Sequence, residues 1–171
     1  MINSPKLLFT AALCLSTALF GATSAMAKVF PIPSTDALAT VNIPDDWEPT
    51  ETDNGLEMQS PDGDIYLSIE GVHADKIAGA LEESGKVLAS QGLVVDTSTK
   101  KTEDSEINGL KIHTFEFKAK DNDGPTEYAV TLVETRAPDR FVLVSAWGTA
   151  EAQKTNGPAL GQIVLSLQLT K

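Results

Sequence analysis

Residues 141–147, Phe-Val-Leu-Val-Ser-Ala-Trp, are apolar on both faces of an extended chain. Alternate side chains form two apolar sets: Phe141, Leu143 and Trp147, and Val142, Val144 and Ala146. Successive side chains of a strand point to opposite faces, so this segment has no polar face to turn toward water. Such a strand lies in the middle of a sheet that is covered on both sides. The segment therefore predicts a central sheet between two outer layers.

Shorter patterns supply the rest of the predicted sheet. The expected strands are 38–43, 56–60, 64–70, 93–102, 110–120, 126–136 and 141–147. Ser-Pro-Asp-Gly at 60–63 is a strong turn signal, and the strand after it alternates between apolar and polar side chains. Tyr66 and Glu70 belong to its polar set. This alternation predicts a half-buried antiparallel hairpin.

Two segments have helical spacing instead. The first is predicted over 75–91, with Asp75 as its N-cap and Gly92 just beyond its end. In the second, Thr149 caps a short turn and Gly157-Pro158 restarts the helix. The predicted order is βββ-α-ββββ-α, an α+β fold in which an antiparallel β-sheet of about six to seven strands is flanked by helices as an α/β/α sandwich.

The first 27 residues are predicted to be a secretory signal peptide. Lys6 precedes an apolar run over 7–20, and the small residues of 25–27 form a cleavage site between Ala27 and Lys28. The run is too short to span a bilayer comfortably. The expected product is a bacterial periplasmic or secreted protein without a transmembrane span, with a short leader over 28–37 and a single domain over 38–171.

The only cysteine, Cys14, lies inside this segment. Lipidation at Cys14 is an alternative to simple cleavage, but Leu13 is not the small residue that such processing prefers. The processed chain has no cysteine. This excludes disulfides, thiol catalysis and cysteine-ligated metal centres.

The chain is strongly acidic, with 24 Asp and Glu against 13 Lys and Arg and a net charge of −11. Nucleic acid is excluded as a partner because phosphate binding needs clustered cations, and an anionic membrane surface is disfavoured for the same reason. Cationic peptides, metal ions and basic protein faces would be attracted. The alternative interpretation is that the acidity keeps an exported protein soluble.

Short motifs in a fixed order resemble the PsbP-like family. They are Asn-Ile-Pro at 42–44 followed by Trp47, Ser-Pro-Asp-Gly at 60–63, Ile-Asn-Gly at 107–109, Asp-Arg-Phe at 139–141, and the final Ile163, Ser166 and Leu167. The family includes the PsbP photosystem accessory proteins, Ran-binding Mog-type proteins and DcrB-type bacterial envelope proteins. The resemblance implies an α/β/α sandwich that binds partners or assists assemblies, with no shared catalytic set. Export favours the DcrB-type branch, because an exported protein would not meet Ran.

The residues that bear reactive side chains are sparse. His73 and His113 have no carboxylate tied to them by spacing, and the chain has no G-x-S-x-G, H-E-x-x-H, P-loop or G-x-G-x-x-G motif. A Ser/His/Asp triad assembles in space and is therefore not excluded. The metal candidates, suited to calcium, are Asp62, Asp64, Asp121 and Asp123. Ordinary turn chemistry explains the same residues without a metal.

Three aromatic residues, Tyr66, Trp47 and Trp147, are candidates for partner binding because aromatic side chains anchor interfaces. Both tryptophans lie beside turns, so packing at the edge of the core is the alternative. Tyr66, on the polar face of its strand, has the stronger claim to exposure.

The sequence as a whole predicts a monomeric, non-enzymatic accessory or binding protein without a cofactor. Its partner would be an envelope protein or a small ligand. The alternatives are a calcium- or ligand-binding module that uses the acidic hairpin loops and, third, a hydrolase.

Overall fold

The apolar segment 141–147 lies within the middle strand, Arg140–Gly148, of a seven-stranded antiparallel sheet. This computed structural model describes residues 27–90, 92–107, 109–122 and 124–170. The predicted signal peptide, apart from Ala27, lies outside the described residues. The predicted α+β class and central strand are confirmed.

The strands and helices follow the predicted order, with three additional short strands. The strands are β1 (Ala27–Ile32), β2 (Ala39–Pro44), β3 (Thr50–Glu51), β4 (Gly55–Gln59), β5 (Ile65–His73), β6 (Val94–Ile107), β7 (Leu110–Lys120), β8 (Pro125–Glu134), β9 (Arg140–Gly148) and β10 (Gln168–Leu169). The helices are α1 (Ile77–Ser90) and α2 (Ala150–Leu165). The strand order of the large sheet is β3-β4-β5-β9-β8-β7-β6.

Each face of the large sheet contributes to a separate apolar core. On one face, Leu67 and Val144 pack with β1, β2 and α2 residues such as Val41 and Ile163. On the other face, Leu143 packs with Leu88 of α1 and with Tyr128 and Val130 of β8. We call these the α2 face and the α1 face. The alternation of β9 thus supplies both cores, as its sequence predicts.

The segment expected to be a leader, 28–37, is instead structured. Residues 27–32 form β1, which pairs antiparallel with β2, and β10 pairs with the other side of β2 in a second, three-stranded sheet. The leader prediction was wrong for residues 28–32, because a proline and weak periodicity do not prevent a strand at the edge of a sheet. An edge strand tolerates proline where the missing N–H is not needed by a neighbour. The side chains of Phe30 and Ile32 are buried in the α2-face core.

Two helix boundaries also differ from the sequence prediction. Asp75 does not cap α1; it lies within a 3₁₀ turn over 74–76, where the N–H of Ala74 donates to the Asp139 carbonyl. Helix α2 is continuous through Pro158, whereas a restart was expected there. Lys154 and Pro158 are both exposed, so water can satisfy the Lys154 carbonyl, which lacks its usual donor.

Candidate functional site

Tyr66 and Trp147 stack on each other on the α1 face. The β5–β9 register places them directly opposite one another. Their ring centroids are 3.8 Å apart and their planes are inclined by 23°. Both side chains are partly exposed. Two of the three aromatic residues predicted to bind a partner are therefore brought together by strand pairing.

Two carboxylates lie on the same face beside this stack. Glu57 of β4 is opposite Ser68 of β5, and Glu70 is two residues further along β5, so both side chains share the face of Tyr66. Neither forms an ion pair within the described part of the chain. Burial, and then the charge of Glu57, raise the pKa of Glu70. Burial is also the main reason that the pKa of Tyr66 lies above its usual range, and the neighbouring Glu57 carboxylate adds to the effect.

The inner part of this site contains two more hydroxyl groups. Tyr128 lies across from Trp147 and is 6% exposed; burial raises its pKa, and the charge of Glu70 contributes. Ser145, opposite Ser68, is 5% exposed, and its Oγ has no hydrogen-bond partner within 3.5 Å among the residues that the structure describes. The neighbouring Ser145 hydroxyl partly offsets the rise in the pKa of Tyr128.

We call this set of five residues the polar cluster: Glu57, Tyr66, Glu70, Tyr128 and Ser145. Three of its members have raised pKa values, and one carries an unpaired buried hydroxyl. Perturbed titratable groups that converge on a partly open face are typical of functional sites. The arrangement suits the binding of a positively charged group.

A groove of about 780 Å³ adjoins the polar cluster and opens to solvent. It is lined by the residues Asp46, Trp47, Glu48, Thr50, Glu57, Met58, Gln59, Ser60, Pro61, Asp62, Gly63 and Tyr66, and we call it the acidic groove. Four of these residues carry carboxylates and none is basic. Glu57 and Tyr66 belong to both the groove and the polar cluster. The two features therefore form one continuous surface.

The backbone between β2 and β4 creates this groove. A 3₁₀ turn over 45–47 ends at Glu48, which has a left-handed conformation (φ 43°). The chain then joins β4 as the short strand β3, which pairs only with Leu56 and Glu57. Gln59, further along β4, has no partner in β3. The edge of the sheet is open at this point.

The predicted metal residues occupy turns. Asp62 accepts hydrogen bonds from Ser60 Oγ (2.5 Å), the Asp64 N–H (3.2 Å) and Asn156 Nδ2 (2.9 Å). The bond from Ser60 is the largest of the causes that lower the pKa of Asp62. In the other turn, Asp121 accepts from the Gly124 N–H, whereas Asp123 lies outside the described residues. No group of three potential ligands that could hold a metal ion occurs among the described residues.

The remaining predicted residues lie apart from the polar cluster or beneath the groove. Trp47 is only 2% exposed and forms part of the groove wall. His113 joins three strands: its Nδ1 lies 2.8 Å from Asp104 Oδ1, and its Nε2 lies 3.2 Å from Glu134 Oε1. His73 is exposed, with its Nδ1 4.0 Å from Asp139. Both histidines are therefore tied to carboxylates that were not evident from sequence spacing.

Sequence reasoning missed Glu57, Glu70, Tyr128 and Ser145 as site residues. The signal for Glu70 was present, because it lies on the polar side of the same alternating strand as Tyr66. The others become neighbours only through the register of β4, β5, β9 and β8. Ser145 is distinguished by a buried Oγ without a hydrogen-bond partner in the described part of the chain.

Within the part of the chain that the structure describes, no helix has the length and apolar character needed to cross a bilayer. Ala27 and Lys28, which flank the predicted cleavage site, lie at the exposed start of β1 and pair with Pro44 and Ile43.

Comparison with known proteins finds similarity at the level of structure. No family model and no curated protein matches the sequence. The solution structure of PsbP (CyanoP) from Synechocystis sp. PCC 6803 matches with a TM-score of 0.59 and 10% identity, over 90% of this chain and 98% of that chain. LpqN of Mycobacterium tuberculosis, described as involved in cell envelope biogenesis, matches with a TM-score of 0.51 and 13% identity, over 85% of this chain and 92% of that one. These likenesses establish the fold alone, and they show that the chain has the PsbP-like fold.

Proposed function

We propose that this chain is an extracytoplasmic accessory protein that binds a cationic segment of a partner protein in the acidic groove and catalyses no reaction. The observation that carries the proposal is the lining of the groove. Asp46, Glu48, Glu57 and Asp62 surround it, and no basic side chain neutralises them there. A concave surface with charge of one sign concentrates and orients ligands of the opposite sign.

The open edge of β4 supports a peptide as the occupant. The backbone of Gln59 faces outward because Met58 and Ser60, on either side, are directed toward β5. An extended segment could therefore add a backbone contact to its contacts with the carboxylates. The neighbouring Tyr66–Trp147 stack supplies apolar area of the kind that anchors interfaces.

Binding rather than catalysis fits the groups that converge on this surface. Both histidines are paired elsewhere, with Asp139 and with Asp104 and Glu134. The raised pKa values of Glu70, Tyr66 and Tyr128 follow from burial first. These groups would recognise a cation, and they have no adjacent nucleophile–base pair to activate.

The extracytoplasmic part of the proposal rests on the predicted signal peptide. LpqN, which has a similar fold, is described as involved in cell envelope biogenesis. Expression of the full chain in a bacterium, fractionation, and amino-terminal sequencing of the product would test it. We expect a periplasmic product that begins at Lys28; a cytoplasmic product that retains residues 1–27 would contradict the proposal.

A defined peptide pair tests the groove. The probes are Ac-(Lys-Ser)₄-NH₂ and Ac-(Glu-Ser)₄-NH₂, titrated by NMR into the uniformly ¹⁵N-labelled protein. We expect only the lysine peptide to bind, with amide shifts confined to the groove and an affinity that falls as salt increases. The double variant Asp46→Asn/Glu48→Gln should weaken binding by about fivefold or more, since exposed charge contacts are individually modest.

The control is Glu103→Gln/Glu106→Gln, which removes the same number of charges from β6 at the opposite edge of the sheet. It should leave the affinity within about twofold of the wild-type value. Equal loss in both double variants would mean that net charge, and not the groove, attracts the peptide, and the proposal would be abandoned.

A further inference from the structure

We propose that the polar cluster is a subsite for one alkylguanidinium group. The inference rests on the proposed function, because it assigns the anchoring chemistry of the same surface. The source of the group is either an arginine side chain of the partner segment or a small free guanidine. Both present the same planar cation, and a comparison of agmatine with an arginine peptide distinguishes the two sources.

The first argument is the contrast between these carboxylates and others in the chain. Glu82, Glu134 and Glu151 each have a lysine within 4.0 Å, although all three are at least 40% exposed. Glu57 and Glu70 are partly buried, as Glu134 is, and have no such partner among the described residues. A partly buried carboxylate such as Glu70, beside the charge of Glu57 and without a cation, is costly to hold ionised. A bound cation would remove that cost.

The second argument is independent of charge. Ser145 is 95% removed from solvent, its Oγ is unpaired, and its side chain lies on the α1 face between the Tyr66–Trp147 row and the Glu70–Leu143 row of the sheet. A buried hydroxyl normally has a hydrogen-bond partner. A donor N–H that entered between Glu57 and Glu70 would approach this oxygen. The unpaired hydroxyl therefore indicates a ligand with several donors.

The third argument selects guanidinium over ammonium. Glu57 and Glu70 are diagonal neighbours across β4 and β5, a relation that places such residues about 7–8 Å apart and within reach of one ligand. A guanidinium presents five N–H donors in a plane and can contact two carboxylates at once. Its flat face also packs on an aromatic ring, and the Tyr66–Trp147 stack borders the cluster. An ammonium ion is a point charge without that planar match.

The test uses the indole N–H of Trp147 as its reporter. The Trp147 ring stacks on Tyr66 of the subsite, and the backbone N–H of Glu103 on β6, at the opposite edge of the sheet, serves as the internal control. The probes are agmatine, Ac-Ser-Arg-Ser-NH₂ and Ac-Ser-citrulline-Ser-NH₂. Citrulline has nearly the shape of arginine without the charge. We expect the arginine peptide to shift the Trp147 signal with an affinity at least tenfold above that of the citrulline peptide, while the Glu103 signal stays fixed.

Two variants locate the effect. Glu70→Gln keeps the shape of the side chain, lies outside the acidic groove lining, and should weaken arginine-peptide binding about tenfold. Glu106→Gln on β6 should change it by less than twofold. Ligand binding should also lower the midpoint of the Glu70 carboxyl titration, which a purely structural role for Glu70 would not produce. If agmatine binds with the same affinity as the arginine peptide, a free guanidine is a sufficient ligand. If agmatine does not bind where the arginine peptide does, the ligand is a protein segment.

Equal affinity for the arginine and citrulline peptides would overturn the subsite, and this comparison needs no variant. If that occurs while Asp46→Asn/Glu48→Gln still weakens binding of the lysine peptide, the subsite is wrong but the proposed function is still supported. If the lysine peptide also fails to bind, both are wrong.

Discussion

Replacement of Ser145 by alanine should stabilise the fold, whereas the same replacement at Ser60 should destabilise it. Both serines are buried, at 5% and 4% exposure, but their hydroxyl groups differ in bonding. Ser145 Oγ has no hydrogen-bond partner. Ser60 Oγ donates to Asp62 Oδ1 at 2.5 Å and accepts from the buried Ile65 N–H at 2.9 Å. The two variants therefore compare the loss of a buried hydroxyl that has hydrogen-bond partners with the loss of one that has none.

The expected magnitudes follow from these bonds. Burial of a hydroxyl without a partner costs about 1–3 kcal/mol, so Ser145→Ala should gain about 1 kcal/mol after the small void left by the oxygen is taken into account. Ser60→Ala leaves the Ile65 N–H buried and unpaired and should lose about 2 kcal/mol. For a domain of this size, these values correspond to a rise in Tm of about 3 °C and a fall of about 6 °C.

Thermal unfolding followed by circular dichroism at pH 7, together with urea titration, measures both variants. The urea m-value should not change, because neither substitution alters the surface exposed on unfolding. A loss in Ser145→Ala equal to that in Ser60→Ala would refute the reasoning, since it would mean that Ser145 Oγ has a native partner such as Tyr128. The same result would remove the second argument for the guanidinium subsite.

Two further predictions concern stability elsewhere in the sheet. Hydrogen bonds, first with Asp104 and then with Glu134, raise the pKa of His113, so its stabilising effect should be full below about pH 6.5 and should be lost as the pH rises through the higher folded-state value. Urea unfolding from pH 5 to 9 should show this loss of stability in the wild type and not in His113→Gln. If the free energy of unfolding falls with pH equally in both proteins, the loss belongs to another group. Leu67→Ala, at a site with 0% exposure, should cost about 3 kcal/mol in urea unfolding, and Val94→Ala, at 69% exposure, less than about 0.5 kcal/mol; similar losses would contradict the assignment of the core.

The large sheet was predictable because its strands carry strong local patterns. The segment 141–147 has two apolar faces and lies at the centre, and the strand after the 60–63 turn alternates as a half-buried strand should. The small sheet was not predictable in the same way. Strand β1 contains Pro31, and β10 has only two residues, so neither carries a periodic signal. Their positions depend on pairing with β2 over long sequence separations.

The site was predictable only in part, for a related reason. Tyr66 and Trp147 stood out by residue type, but their contact depends on the register between β5 and β9. Glu57 and Glu70 are ordinary strand residues until the register between β4 and β5 is known, and a shift of one residue would place a side chain on the opposite face. The unpaired state of Ser145 is a property of its surroundings, which no local pattern records.

The small sheet also determines when folding can finish. Strand β2 holds β1 on one side and β10 on the other, and Thr170 N–H donates to the carbonyl of Leu38 across most of the chain. A polypeptide that emerges amino-terminus first cannot close this sheet until Gln168 and Leu169 arrive. Contacts between such distant segments form late, because a long loop must be ordered before they form. If the chain is exported as we propose, this sheet would stay open until Gln168 and Leu169 had left the translocation pore, so the domain could not close while it was still being threaded.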